Sequence, residues 1–425
     1  MSDTPIAASS LAAAIDAAAP TVEAHVIAWR RDIHANPELG NREFRTGALV
    51  AEHLRALGFD EVRTGVAHTG VVGLLKGALP GPMVALRADM DALPVQEEVD
   101  VPFASRARTT WNGEDVGVMH ACGHDAHTAI LMGVAQVLAG LRAGLRGSVR
   151  FIFQPAEEMP PEGEDGGAKM MVEQGVMDNP RPAAVFGLHV TSRLPVGVIG
   201  YRPGPAMASA DTLKITVEGR QTHGAMPWYG VDPIVTAAQV VLGLQTVVSR
   251  QIDLTREPAV VTIGSIKGGV RGNIIPDSVE MNGTIRSFDE TMRDDIHERV
   301  TTLAEAISRG SRAGCQVCIR KHYPVTVNDP ALTEAMLPTL RRVAGPQPDR
   351  LLLVPKVMGS EDFSFFQRVS PGLFFFIGVV PHGTDPKTVA PNHSPRFFID
   401  EACLVVGVRS LAHLACDFLE SRRDD

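Results

Sequence analysis

The sequence predicts an α/β protein in which a mostly parallel sheet, with helices on both faces, is interrupted by a smaller α+β domain. Three observations lead to this prediction. Short apolar runs alternate with helical patterns in the first half of the chain, which is typical of strands that are covered on both faces. Strands with one polar face then occupy about a hundred residues, and the doubly covered strands return after residue 315.

The elements of the first part are predicted in order from residue 21. Apolar residues from Val22 to Ile33 share one face of a helix over residues 21–35, and a second helix is predicted over residues 42–57. The elements that follow are strands at 71–75, 83–86, 149–153 and 184–188, and a helix at 126–141. The leader before residue 21 lacks the basic segment of a signal peptide and is predicted to be short and partly disordered.

The interrupting domain is predicted over residues 205–314. Leu213, Ile215 and Val217 alternate with polar residues, so one face of this strand is expected to meet solvent. Its helices are predicted at 232–250 and 290–309. The larger domain therefore comprises residues 1–204 and 315–425, with returning strands at 351–354 and 373–377 and a last helix at 401–420.

Composition narrows the class of protein. The 425 residues include 40 Lys and Arg against 49 Asp and Glu, which gives a net charge of −9 and argues against nucleic acid as a partner. Five cysteines are too few for a disulfide scaffold and suit a reducing compartment. The sequence contains no uninterrupted apolar run of the length that a membrane span needs. We therefore expect a cytoplasmic protein that does not bind membranes.

The strongest local motif is His-Ala-Cys-Gly-His-Asp-Ala-His, at residues 120–127. Imidazole and thiolate are the preferred ligands of zinc-like divalent ions. Gly123 permits a tight backbone path, which would let Cys122 and His124 face one point at the start of the following helix. The alternative is a helix start capped by Asp125, although three histidines, a cysteine and an aspartate in eight residues argue against it.

Further polar residues follow other predicted strands. Glu157 and Glu158 come after the strand at 149–153, and His189 ends the strand at 184–188. Ligands bind beyond the carboxyl ends of parallel strands, where one acid can hold a metal and the other can act as a general base. The alternatives are a solvated acidic loop and a structural histidine. His393, in a loop of the returning part, adds another candidate ligand.

The motifs resemble the M20 metallopeptidases, and within them the amidohydrolase subfamily of hippurate hydrolases and auxin–amino acid conjugate hydrolases. Seven segments occur in the order found in that family: RADMDALP, MHACGHDAH, FQPAEE, GLHV, HGAMP, GNIIPD and NHSP. The resemblance implies a site for two divalent ions, zinc or manganese, with cobalt or nickel as further possibilities. The implied ligands are Cys122, His124, Glu158, His189 and His393. Glu157 corresponds to the general base of the family.

The resemblance also assigns roles around the metals and in the interrupting domain, which is similar to a lid and dimerisation domain. His223 corresponds to the histidine that stabilises the oxyanion. Asn273 and Arg286 correspond to the groups that hold the substrate carboxylate, although Arg286 alone would suit a solvated strand position. Independently of the resemblance, Asp89 and Asp91 follow another predicted strand and could orient the ligand imidazoles, and Asp125 is expected to have the same role as Asp89. The chain departs from the wider family at Arg87, where a histidine ligand is usual.

The implied activity is hydrolysis of the amide bond of an N-acyl amino acid, such as hippurate or an N-acetyl amino acid. The products would be a carboxylic acid and a free amino acid. A dipeptidase or carboxypeptidase of the same fold is one alternative, and a metal-binding homologue without activity is another. The expected partners are the small-molecule substrate and further copies of the chain, in a homodimer or a higher homo-oligomer formed through the lid domain.

Overall fold

A computed structural model describes residues 8–422 and divides them into two compact units. The larger unit contains the described residues of Met1–Gly204, Asn328–Pro355 and Phe365–Asp425. The smaller unit contains Pro205–Val327 and Lys356–Ser364. The larger unit is thus built from separate stretches of chain, with the smaller unit inserted between them.

The helices and strands have the following bounds. The helices are α1 (Ala8–Ala35), α2 (Phe44–Ala56), α3 (His124–Gly140), α4 (Gly167–Glu173), α5 (Pro233–Thr246), α6 (Glu290–Gly310), α7 (Pro330–Ala344), α8 (Ser364–Gln367) and α9 (Ala402–Ser421). The strands are β1 (Glu61–Val66), β2 (Gly70–Lys76), β3 (Leu79–Asp89), β4 (Arg108–Trp111), β5 (Glu114–Gly117), β6 (Arg146–Gln154), β7 (Ala184–Pro195), β8 (Ile199–Tyr201), β9 (Gly204–Met207), β10 (Ala210–Glu218), β11 (Thr222–His223), β12 (Ala259–Gly268), β13 (Ile274–Ile275), β14 (Ser278–Ser287), β15 (Gly314–Tyr323), β16 (Thr326–Asn328), β17 (Leu351–Leu353) and β18 (Gly372–Val380).

The larger unit is organised around an eight-stranded sheet of order β1-β2-β6-β3-β7-β18-β8-β17. The four central strands β6, β3, β7 and β18 run parallel, as predicted, whereas β1, β2 and β8 pair in antiparallel fashion at the flanks. All nine residues of β18 are buried, and α3 is buried along most of its length. This burial explains why the central strands read as continuous apolar runs instead of alternating ones.

The first helix is longer than predicted. It begins at Ala8 instead of residue 21, because the Ala-rich leader favours a helix and presents Leu11, Ile15 and Ala19 to the core. Residues 1–7 of the predicted leader lie outside the described residues.

Within residues 8–422, two helices are long and apolar enough to cross a membrane, Leu11–Ala35 and Ala402–Ser421, with mean hydropathies of 1.3 and 1.6. Charged residues interrupt both in sequence, so a search for uninterrupted apolar runs misses them. Of the α9 window, 72% is buried within the protein. The core helix of a soluble protein passes the same test, so length and hydropathy are weak grounds for a membrane span here.

The smaller unit contains an antiparallel sheet of order β12-β14-β10-β15, with α5 and α6 contributing to its core. Leu213, Ile215 and Val217 are buried, as the alternation predicted. The larger domain was predicted to resume at residue 315, whereas Asn328 is the first residue of the chain to return to the larger unit. The physical reason is β15, which covers the second edge of β10 and alternates half-buried with exposed residues like the other strands of this sheet.

Candidate metal centre

Polar residues meet where the central parallel strands of the larger unit end. β3 ends at Asp89 and β6 ends at Gln154, and these two residues are direct register partners. His189 lies on the neighbouring strand β7. Because parallel strands present their carboxyl ends at one edge of a sheet, segments that are distant in sequence come together there.

The Cys-Gly-His segment depends on its glycine. Gly123 has φ +93°, and a Cβ atom added there would lie 2.3 Å from Val190 Cγ2. Both the backbone conformation and the close approach therefore exclude other residues. Gly123 precedes α3, so Cys122 and His124 stand on either side of the turn that starts this helix.

The predicted ligands lie together in the structure. Cys122 Sγ is 3.3 Å from His189 Nε2 and 3.3 Å from His393 Nε2, and His393 Nε2 is 2.8 Å from Glu158 Oε1. Three overlapping groups have ligand atoms within 4.8 Å of one another: Cys122 with His124 and His189, Cys122 with Glu158 and His393, and His124 with Glu157 and Glu158. The larger unit thus brings all five predicted ligands and the predicted base into one cluster.

Hydrogen bonds hold the loop that carries His393 against the segment that carries Cys122. The amide of Asn392 donates to the carbonyl oxygens of Cys122 and Val190, at 3.2 and 3.1 Å. The backbone N–H of His393 donates to Ala121 O at 2.8 Å. These contacts hold a side chain from the returning part of the chain against a segment some 270 residues earlier.

His124 has the environment of a metal-binding imidazole. Its Nδ1 lies 3.2 Å from Asp91 Oδ1, while its buried Nε2 has no hydrogen-bond partner among residues 8–422. A carboxylate on one ring nitrogen fixes the tautomer of a ligand histidine and leaves the other nitrogen for the ion. The same Asp91 accepts the backbone N–H of Glu158 at 2.9 Å. The donor set of sulfur, imidazole and carboxylate therefore fits a divalent ion.

Asp89 forms its hydrogen bond to a different histidine, His127. It lies 2.6 Å from His127 Nδ1 and 2.7 Å from Arg87 Nη1. His127 Nε2 accepts the backbone N–H of Val190, so both nitrogens of this ring are engaged. Arg87, in place of the histidine usual in the wider family, is buried and neutralises Asp89.

Asp125 lies in a second buried network behind the start of α3. His34 donates from Nδ1 to Asp125 at 2.8 Å and from Nε2 to Glu97 at 3.1 Å, and Arg30 Nε lies 2.8 Å from Asp125. Burial opposes the charged form of Asp125, but Arg30 and His34 outweigh it and hold its pKa well below the usual range. Asp125 thus contacts His34 and Arg30, which join α1 to α3.

The cluster carries surplus negative charge. Burial opposes protonation of His124, but Asp89 and Asp91 prevail and raise its pKa to about 10. Burial, followed by Glu158 and Glu157, raises the pKa of the Cys122 thiol. Proximity to several anions raises a pKa in this way, and metal cations reverse the effect by displacing the protons.

His120 differs from its neighbours in the motif. It is buried, and neither of its ring nitrogens has a hydrogen-bond partner within the described part of the chain. Burial lowers its pKa to about 3. No role was predicted for His120 or His127, and their contacts distinguish them: both ring nitrogens of His127 are engaged, whereas those of His120 have no hydrogen-bond partner among the described residues.

The remaining predicted residues lie in the smaller unit. His223, on β11, is exposed, and its Nδ1 accepts the backbone N–H of Ala225 at 3.0 Å. Asn273 is its neighbour, since Gly224 N donates to Asn273 O at 2.8 Å. Arg286, on β14, is half-buried and donates to Ser360 Oγ at 3.1 Å. In the short ladder of β11 with β13, His223 pairs with Ile274, so Asn273 lies next in sequence to the residue opposite His223.

A cysteine–histidine–carboxylate cluster at the edge of a parallel sheet, with a second carboxylate beside it, defines the class as a metal-dependent hydrolase of amide bonds. Comparison with known proteins gives the family. The sequence profile of peptidase family M20/M25/M40 matches residues 85–417, and the chain belongs to this family.

Three relatives are similar over nearly the whole chain. Thermostable carboxypeptidase 2 of Saccharolobus solfataricus is 42% identical over 399 residues, 93% of this chain and 96% of the relative. N-acetylcysteine deacetylase of Bacillus subtilis is 38% identical over 396 residues, 93% of this chain and 97% of the relative. A solved dinuclear metal-binding peptidase of family M20, also from Bacillus subtilis, has a TM-score of 0.78 at 35% identity and covers 94% of this chain and 99% of its own.

Proposed function

We propose that this protein hydrolyses N-acyl amino acids, of the hippurate or N-acetyl amino acid type, to a carboxylic acid and a free amino acid. The observation that carries the proposal is the cluster of five metal-ligand side chains with the buried Glu157 beside it. The similarity to an N-acetylcysteine deacetylase supports the substrate class.

Cys122, His124, Glu158, His189 and His393 would hold two divalent ions, zinc or manganese, with cobalt or nickel also suited to these ligands. When bound, such ions polarise a carbonyl group and lower the pKa of a water molecule. Glu157 lies within 4.8 Å of the ligand atoms of His124 and Glu158. It takes the proton from the attacking water and returns that proton to the nitrogen of the leaving amine.

His223 donates a hydrogen bond to the oxygen of the scissile carbonyl as negative charge develops there. Because its Nδ1 accepts the N–H of Ala225, the neutral ring carries its proton on Nε2. The exposed Nε2–H is thus ready to donate without a change of tautomer. Arg286 and Asn273 hold the carboxylate of the amino acid, Arg286 through its fork of N–H donors.

We further propose that the interrupting domain, predicted at residues 205–314 and found as the smaller unit Pro205–Val327 with Lys356–Ser364, acts as a lid and dimerisation domain, and that the larger unit is the catalytic domain. The smaller unit leaves β12 at the edge of its sheet, and Leu242 on α5 is 72% exposed. An unpaired strand edge and exposed apolar side chains favour association with a second copy, so a homodimer or higher oligomer is expected. We place the protein in the cytoplasm, with no nucleic acid or membrane as partner.

A carboxypeptidase or dipeptidase is the second candidate, and the 42% identity to a thermostable carboxypeptidase favours it. A binding protein without activity has less support, since a metal carrier needs no base at the position of Glu157.

Two measurements test the proposal: metal analysis of the purified protein, and kcat/KM for hippurate, N-acetyl amino acids and dipeptides side by side. We expect two divalent ions per chain and higher kcat/KM for the N-acyl amino acids. Higher values for dipeptides would instead establish the second candidate. Cys122→Ser should reduce the bound metal, whereas the matched control Cys318→Ser, at an exposed thiol, should leave it unchanged.

A further inference from the structure

The turn that carries Glu157 and Glu158 has an unfavourable backbone. Ala156 has φ +51° and Met159 has φ +79°, both in the left-handed region that residues with a Cβ atom avoid. Each costs on the order of 1–2 kcal/mol relative to a right-handed conformation. Ala156 is fully buried, so surrounding groups must hold the turn in place.

Two buried carboxylates hold alternate peptide groups of this turn. Glu43 Oε1 accepts the backbone N–H of Ala156 at 2.9 Å, and Asp91 Oδ2 accepts the backbone N–H of Glu158 at 2.9 Å. Glu157 lies between Ala156 and Glu158, the two residues whose N–H groups are held. Glu43 is fully buried, and its second oxygen accepts the hydroxyl of Thr69.

Glu43 is not needed to start the helix that follows it. It occupies the N-cap position of α2, yet its side chain makes no capping hydrogen bond. Glu38 does this instead, by accepting the N–H groups of Arg45 and Thr46 at 2.9 and 2.8 Å. The burial of the Glu43 carboxyl group is therefore explained by its contact with the turn, not by helix capping.

The backbone next to Glu43 fits the same turn. A Cβ atom added at Gly40 would lie 3.1 Å from both Cα and Cβ of Ala156. The carbonyl of Glu38 accepts the N–H of Ala92, directly after Asp91, at 2.8 Å. Residues 38–43 thus touch the Glu157 turn and the loop that carries Asp91.

We propose that Glu43 is a positioning residue that sets the orientation of Glu157 through its hydrogen bond to the Ala156 peptide. This inference rests on the proposed function, in which Glu157 is the base. Glu43 contacts the turn and not the substrate, so it should affect the catalytic rate more than KM or metal content.

Two variants separate the effect of the length of the Glu43 side chain from the effect of its charge. Glu43→Gln keeps the length, and its amide can accept from Ala156 N–H while donating to Thr69. Burial and the charge of Asp91 raise the pKa of Glu43 to about 8, which favours the neutral acid that Gln imitates. Glu43→Asp keeps the acid but is one methylene too short to reach Ala156.

We expect Glu43→Asp to lower kcat about 10- to 100-fold with KM and metal content retained, and Glu43→Gln to keep most of the activity. Equal losses in both variants, or full activity of Glu43→Asp, would overturn the proposal. Glu38→Ala is the matched control: it removes the cap of α2 and should lower the unfolding midpoint without lowering kcat.

Combination with Glu157→Gln separates this proposal from the proposed function. If Glu43 acts through Glu157, Glu43→Asp should add no further loss to the residual rate of Glu157→Gln. Multiplied losses would show that Glu43 supports the site in another way and would reject the positioning role. Full activity of Glu157→Gln alone would instead reject the proposed base. Amide hydrogen exchange at Ala156, faster in Glu43→Asp than in Glu43→Gln, reports on the contact without using activity.

Discussion

The two units each bury a group of charged residues, but they balance the charge in opposite ways. In the smaller unit, Asp211 is paired with Arg293 through two nitrogens and with His297 at 2.7 Å, and Arg293 also pairs with Glu290 at 3.0 Å. Each acid in this cluster lies beside a basic side chain, so the charges are balanced within the protein. Its pairs hold the first residues of β10 against α6.

In the candidate metal cluster of the larger unit, acidic side chains outnumber basic ones. Arg87 is paired with Asp89, whereas Asp91, Glu157 and Glu158 all lie near the buried imidazole of His124, and Glu158 also contacts the exposed His393. Several buried carboxylates close together are costly unless cations compensate their charge. A buried cluster in which acids and bases are balanced stabilises the fold, whereas a cluster with more acceptors than donors is suited to bind cations from solution.

Glu157→Gln tests whether the cluster of the larger unit carries out catalysis, and it should have the largest effect on the rate. Gln cannot take a proton from water, so kcat should fall by about 100- to 10,000-fold. Metal content should be unchanged, because the five proposed ligands remain. Steady-state kinetics and metal analysis on the same preparation check both points, and a fully active variant would remove Glu157 from the role of base.

Arg293→Ala tests whether the balanced cluster of the smaller unit stabilises the fold. It leaves Asp211 buried with only His297 as a partner, so the free energy of unfolding should fall by about 3–5 kcal/mol, as measured by denaturant titration. Metal content should not change. Lys214→Ala is the control, because the pair of Lys214 with Glu280 is exposed and should contribute about 0–1 kcal/mol. A loss of metal in Arg293→Ala would break the distinction between the two clusters.

His223→Ala and His297→Ala compare two histidines of the smaller unit. His223 is exposed and lies outside the balanced cluster, whereas His297 belongs to it. Loss of one oxyanion donor should lower kcat by about 100- to 1,000-fold, with metal content and unfolding free energy retained. His297→Ala should do the reverse and affect stability more than rate. A fall in metal content would make His223 a ligand.

Mixing His223→Ala with Glu157→Gln chains tests whether subunits share a site. If each site takes its histidine from the partner subunit, mixed dimers contain one site with both residues and activity returns. If each site takes its histidine from its own chain, the mixture stays inactive.

The proposed ligands could be selected because they lie in short motifs or next to apolar strands. Cys122 and His124 share one turn, and Glu158 follows an apolar strand. His189 was expected at the end of its strand but lies inside β7, which continues to Pro195. The start of α1 was predicted too late, because an Ala-rich stretch resembles a leader until the core that covers Leu11 and Ile15 is known. The end of the smaller unit was placed too early, since the edge strand β15 has no marker in the sequence other than its alternation.

The contacts behind the ligands could not be predicted. Asp89 and Asp91 are equivalent in sequence, yet Asp91 contacts His124 and Asp89 contacts His127. Glu43 lies 113 residues from the peptide it holds, and nothing in its local sequence points to that peptide.

Apolar periodicity and the spacing of candidate ligands are local properties of the chain, so the fold class, the family and the chemistry of the proposed ligand set could be inferred before the chain was folded. The folded structure was needed to show which carboxylate contacts which imidazole and how the strained turn at Ala156 is held. It also decided which buried charges are balanced. These are contacts between distant segments, and their energies depend on burial and distance, which exist only once the sheet and helices have packed.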